Sequence, residues 1–121
     1  MSLDKESFIV YGFKFDESQL DVIDDHWDEL FEEEPYASRF YFDEDDTDEV
    51  IVEDTMCGQY AYAGLKLSRI TEYSKKSTKE DVSKFENLQE KLEEKMKTWP
   101  DYLLEAVKDM TPALYSFQHV Y

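Results

Sequence analysis

Leu20, Ile23, Trp27, Leu30 and Phe31 recur at spacings of three and four, the period of one helical face. The spacing predicts a helix from a cap at Asp16 or Ser18 to about Glu33. Pro35 ends it, because a residue that precedes proline avoids the α region. Ahead of this helix, Ser7 to Phe15 (SFIVYGFKF) is rich in aromatic and β-branched residues. It reads as a strand buried on much of both faces, with Gly12 marking a bulge or a close backbone approach.

Two short strands, Arg39 to Phe42 and Val50 to Glu53, flank a polar run that serves as a hairpin loop. Cys57-Gly58 marks a further turn. Over Tyr60 to Ile70 the pattern has period two, with Ala61, Ala63, Leu65 and Leu67 on one face and Tyr60, Tyr62 and Lys66 on the other. Residues 74–79 (SKKSTK) read as a surface linker, and Ser77 with Glu80 fits a capping box. Val82, Phe85, Leu88, Leu92, Met96 and Trp99 then form a second helical stripe, broken at Pro100. A helical piece from Asp101 to Met110 and an alternating strand from Ala113 to Tyr121 close the chain. The order β-α-β-β-β-α-α-β predicts one α+β domain over residues 1–121. Its mainly antiparallel sheet has about five strands and carries the helices on one face.

The 121 residues include 30 acids and 13 bases, a net charge of -17. The excess lies entirely in the first half: Met1 to Tyr60 has 20 acids and 3 bases, and Ala61 to Tyr121 has 10 of each. A halophile surface would shed lysine, yet 11 of the 13 bases are Lys. Direct contact with nucleic acid or an anionic membrane is disfavoured, because phosphates require Lys and Arg. A single cysteine, Cys57, allows no internal disulfide and suits a reducing cytoplasm. The N-terminal residues lack the pattern of a signal peptide, and no apolar run is long enough to span a bilayer.

Charge is densest in DVIDDHWDELFEEE, Asp21 to Glu34, with eight acids and no base. On a continuous helix, Asp21/Asp25, Asp24/Asp28, Asp25/Glu29, Asp28/Glu32 and Glu29/Glu33 are like-charge pairs, each costing roughly 0.2–0.5 kcal/mol. Glu32, Glu33 and Glu34 would also sit at the negative end of the helix dipole. The second long helix compensates its charges with pairs such as Lys91/Glu94 and Glu93/Lys97, alongside like pairs at Glu86/Glu90 and Lys91/Lys95. Solubility alone requires no such contrast. Asp16 to Glu34 would present one carboxylate per roughly 3 Å of helix axis, close to the 3.4 Å phosphate spacing of one B-DNA strand, roughly stated. A second acidic patch runs from Asp43 to Asp48 with Glu49, Glu53 and Asp54. Two readings stand side by side: a solvated surface, and a surface that meets something basic.

Other chemistry is thinly supported. As an EF-hand loop starting at Asp43, the run has Asp45 at position three. It has Asp48 where Gly is needed and Asp54 where Glu is needed, and its flanks read as strands. His26 lies beside carboxylates that would favour its protonated form. His119 and Cys57 add no local nucleophile signature, zinc-type Cys/His pairs are absent, and no phosphate-binding glycine motif occurs. No cofactor or metal is expected. Tyr60, Tyr62, Tyr115 and Tyr121 fit a wet sheet face or an interface.

In size, charge and tyrosine content the chain resembles the small acidic single-domain proteins that bacteriophages use against host enzymes. The resemblance rests on no motif and carries over no residues. The acidic first half itself predicts a non-enzymatic, cytoplasmic inhibitor or adaptor that docks on a basic groove of a protein that processes nucleic acid, in its most specific form as a nucleic-acid mimic. The expected contact residues are Asp21, Asp24, Asp25, Asp28, Glu29, Glu32 and Glu33, with Asp45, Asp46 and Asp48 second. The alternative is a structural or assembly protein, a homo-oligomer that self-associates through an aromatic sheet face.

Overall fold

The computed structural model describes residues 5–36, 39–40, 47–53, 60–71 and 82–120. Its centre is the first strand, β1 (Lys5–Phe15). The alternating apolar residues of β1 serve two cores. Phe13 and Phe15, with Ile9 and Tyr11, join the larger cluster, whereas Phe8 and Val10 join a smaller one on the opposite face. Such a strand needs cover on both faces of its sheet. β1 pairs antiparallel with both β3 (Ala61–Thr71) and β4 (Ala113–Val120). β2 (Glu49–Glu53) pairs with β3 on its other side, giving the order β2-β3-β1-β4. The architecture is α+β with a four-stranded, wholly antiparallel sheet.

The β1–β3 ladder shifts register between Ile9 and Val10. Gly12 lies opposite Gly64, and the reason is steric. A Cβ on Gly12 would sit 2.1 Å from the Ala63 carbonyl oxygen, and one on Gly64 would sit 2.3 Å from that of Tyr11. The close approach at Gly12 is as the sequence predicts, and the register shift leaves Leu67 of β3 as the extra residue.

All four α-helices pack on one face. α1 (Glu17–Asp25) supplies Leu20 and Ile23 to the larger core, and α2 (Trp27–Phe31) supplies Leu30. α3 (Leu88–Met96) adds Leu92, and α4 (Asp101–Val107) adds Leu103 and Val107. Trp99 lies between Phe13 and Phe40 in edge-on contacts, each with ring centroids 6.2 Å apart. Such pairs contribute about 0.5–1.5 kcal/mol beyond their buried area.

Three expectations are corrected. Among the described residues the sheet has four strands and not five: Arg39 and Phe40 form a turn and a bend, and the Ile51 N–H donates to the Phe40 carbonyl at 3.0 Å. The first helix is interrupted at His26, so the observed order gains a helix, and Trp27 is 42% exposed instead of lying in the core stripe. The second long helix is likewise interrupted. A 3-10 helix (Val82–Phe85) precedes Asn87, whose φ of 55° is left-handed, and α3 starts only at Leu88. Asn tolerates that conformation better than most residues, and the break leaves Phe85 37% exposed. Tyr41, Phe42, the 43–46 loop, the Cys57-Gly58 turn, the 74–79 linker, the Ser77/Glu80 box and Tyr121 lie outside the described residues.

Candidate functional site

Asp16 caps α1 as the sequence predicts. Its carboxylate accepts the Ser18 backbone N–H at 3.0 Å, and the Gln19 side chain accepts the Asp16 N–H at 3.1 Å. This capping box starts the acidic segment at a fixed position. Ten residues after Asp16, His26 ends α1. Its ring stacks on Tyr102 of α4, with centroids 3.6 Å apart and planes 10° apart, and its Nδ1 lies 2.9 Å from the Val22 carbonyl. The stack ties the α1–α2 junction to α4.

Beyond the junction, Asp24, Asp25, His26, Trp27, Asp28, Glu29 and Glu33 line one open groove of about 270 Å³. Trp27 is exposed and rests against Phe31, ring centroids 4.4 Å apart. Thus five of the expected contact residues, Asp24, Asp25, Asp28, Glu29 and Glu33, come together around one exposed indole. Asp21 and Glu32 are exposed but line no part of the groove. Asp45 and Asp46 lie outside the described residues. Asp48 is exposed and reaches Lys95 Nζ at 3.0 Å.

Two sequence expectations about this surface need correction. The carboxylates do not lie on one continuous helix, because it is interrupted at His26; the i,i+4 pairs Asp24/Asp28 and Asp25/Glu29 straddle the interruption. Glu32 to Glu34 lie past the end of α2 and so do not extend a helix as far as Glu33. In the second acidic patch, Glu49 is 4% exposed and serves the fold. Its Oε1 accepts Arg39 Nε–H at 2.8 Å, and its Oε2 accepts Arg39 Nη2–H at 3.2 Å and Trp99 Nε1–H at 2.8 Å. The same guanidinium donates to the carbonyls of Lys95 and Thr98, each at 3.2 Å, at the C-terminal end of α3. A cation there also suits the helix dipole.

The acids from Asp21 to Glu34 form no ion pair among the described residues. The bases with described side chains are engaged elsewhere. Lys97 meets Glu94, Lys108 meets Glu105, and Lys95 meets Asp48. Arg69 meets Glu6, Lys91 donates to the Ser83 carbonyl, Lys66 to the Thr47 hydroxyl, and Lys14 sits over the Tyr60 ring. Lys97 therefore pairs with Glu94, where the sequence suggests Glu93; the pairing lowers the Glu94 pKa and raises that of Lys97.

Tyr102, beneath His26, has a buried hydroxyl that makes no hydrogen bond of good geometry. Burial first, then the negative charge of Glu29, raises its pKa well above the ordinary tyrosine value. Both disfavour the phenolate.

Among the described residues no three His, Cys, Asp or Glu side chains converge on a point that could hold a metal ion. No described helix is long and apolar enough to cross a membrane. Comparison with protein-family models, curated proteins and solved structures returns no match.

Proposed function

We propose that the chain is a non-enzymatic, acidic protein-binding inhibitor or adaptor whose α1–α2 surface docks on a basic groove of another protein. The observation that carries this reading is the set of carboxylates, without an ion pair among the described residues, that line one groove with exposed Trp27. Exposed charges supply little affinity one by one, about 0–1 kcal/mol each. They do accelerate encounter and set orientation. An exposed aromatic at their centre supplies the desolvating anchor that charge alone lacks. In its most specific form the surface is a nucleic-acid mimic, because a groove that binds phosphates offers the Arg and Lys that these carboxylates would meet.

The test is retention of proteins from a bacterial lysate on the immobilised chain, washed through a salt series. The retained protein is then assayed for loss of bound nucleic acid as the chain is added. A basic, nucleic-acid-binding protein that elutes at moderate salt and surrenders its nucleic acid is the expected result. The fourfold variant Asp24→Lys, Asp25→Lys, Asp28→Lys, Glu33→Lys should neither retain it nor compete. Equal retention by that variant, with its circular dichroism unchanged, would remove the acidic surface from the interaction.

A further inference from the structure

We infer that the outer edge of β4 pairs antiparallel with β4 of a second copy of this chain, joining two four-stranded sheets into one. β4 ends the sheet, with β1 on its inner side and no strand on its outer side among the described residues. A long, uncharged outer strand is a template for another strand, and folds that avoid such pairing blunt the edge with charge, proline, shortness or cover. The opposite edge is blunted in this way. β2 is five residues long, has Glu49 and Glu53 at its ends, and gives its Ile51 N–H to the Phe40 carbonyl. β4 has eight residues, ALYSFQHV, without Asp, Glu, Lys, Arg or Pro. It lies in Met110 to Tyr121, the longest stretch of the sequence free of those four charged types. In a chain of net charge -17, this is where a second copy meets the least like charge.

The occupant is identified by the strand's own symmetry. About Phe117 the sequence reads nearly the same in character both ways: Ser116 and Gln118, then Tyr115 and His119, then Leu114 and Val120. An antiparallel twofold centred on Phe117 sets this residue opposite its copy and Ser116 opposite Gln118. It also sets Tyr115 opposite His119 and Leu114 opposite Val120. Polar, aromatic and apolar positions thus each meet their own kind, the arrangement that stabilises cross-strand pairs. The smaller core also stops unfinished at this edge. Phe117 stacks on Tyr62 at 3.8 Å and on Phe8 at 5.6 Å, and Tyr115 lies 5.5 Å from Tyr62, yet both remain only half-buried. Leu114 is 54% exposed. A second β4 continues both rows.

Sedimentation equilibrium over a wide concentration range, at low and high salt, tests the pairing. The chain should be a dimer that tightens as salt rises, because screening relieves its net repulsion. Ser116 and Gln118 are exposed, so Ser116→Glu with Gln118→Glu can be made without touching the core. This double variant sets two like-charge pairs across the twofold and should weaken dimerisation by about tenfold or more. Ser116→Thr with Gln118→Val should strengthen it. A wild-type chain that stays monomeric at every salt overturns the inference, as does a dimer indifferent to both double variants.

Discussion

The α1–α2 segment and the junction of β2 with α3 use carboxylates in opposite ways. At the junction, Glu49 is buried and every oxygen of its side chain accepts a hydrogen bond, from Arg39 or Trp99. On α1–α2, the acids form no ion pair among the described residues, and all but the half-buried Glu29 are exposed. A buried charge is tolerated only when it is paired, so Glu49 is bound to the fold by necessity. The exposed acids are under no such requirement, and their mutual repulsion works against the helices that bear them. On the proposed function, these acids, which line a groove with an exposed indole, are the ones that meet a partner.

That contrast can be broken most forcefully at Glu49. Glu49→Ala leaves the Arg39 guanidinium and the Trp99 N–H without their acceptor, and removing one partner of a buried pair costs about 3–5 kcal/mol. Partial exposure of Arg39, 23%, favours the lower end. Urea unfolding should show the loss, while Glu33→Ala, an exposed change on the other region, should move stability by no more than about 0.5 kcal/mol. Equal effects at the two sites would erase the distinction.

Tyr102 sharpens it at high pH. Its pKa is raised in the folded state above the ordinary value of 10.0, so the folded chain holds this proton where the unfolded chain releases it. Its contribution is complete below about pH 10 and is lost as pH climbs toward the raised value. Thermal melts should therefore show stability falling above pH 10, and Tyr102→Phe should flatten that limb. Substituting Glu29→Gln should flatten it less, because burial is the larger cause. The smallest effect is expected at Asp25, which repels Asp21 within α1. Asp25→Asn should raise stability by about 0.2–0.5 kcal/mol, a gain readable in the unfolding midpoint.

Local patterns were legible where local forces decide. The alternation in Ala61 to Leu67 assigned these residues to the right face of β3, and Tyr62 to the other. Asp16 and Pro100 marked the starts of α1 and α4. What the pattern could not carry was decided by residues far apart in the chain. The break at His26 coincides with a stack on Tyr102 of α4, and next to it Trp27 lies at the surface although its spacing places it in the core. Arg39 read as the start of a strand because its attachment to Glu49, Lys95 and Thr98 is tertiary. Glu49 read as surface charge for the same reason. Of the candidate site, the charge density was visible in the sequence, but the aromatic centre of the groove was not.

The two tryptophans divide along the same line, and this gives the molecule two built-in optical reporters. Trp99 is 4% exposed and hydrogen-bonded to Glu49, whereas Trp27 is 42% exposed amid carboxylates. An emission change confined to Trp27 would mark occupancy of the groove, and one from Trp99 would mark loss of the core. Trp27→Phe and Trp99→Phe separate the two signals, so docking and unfolding can be followed in one cuvette without a label.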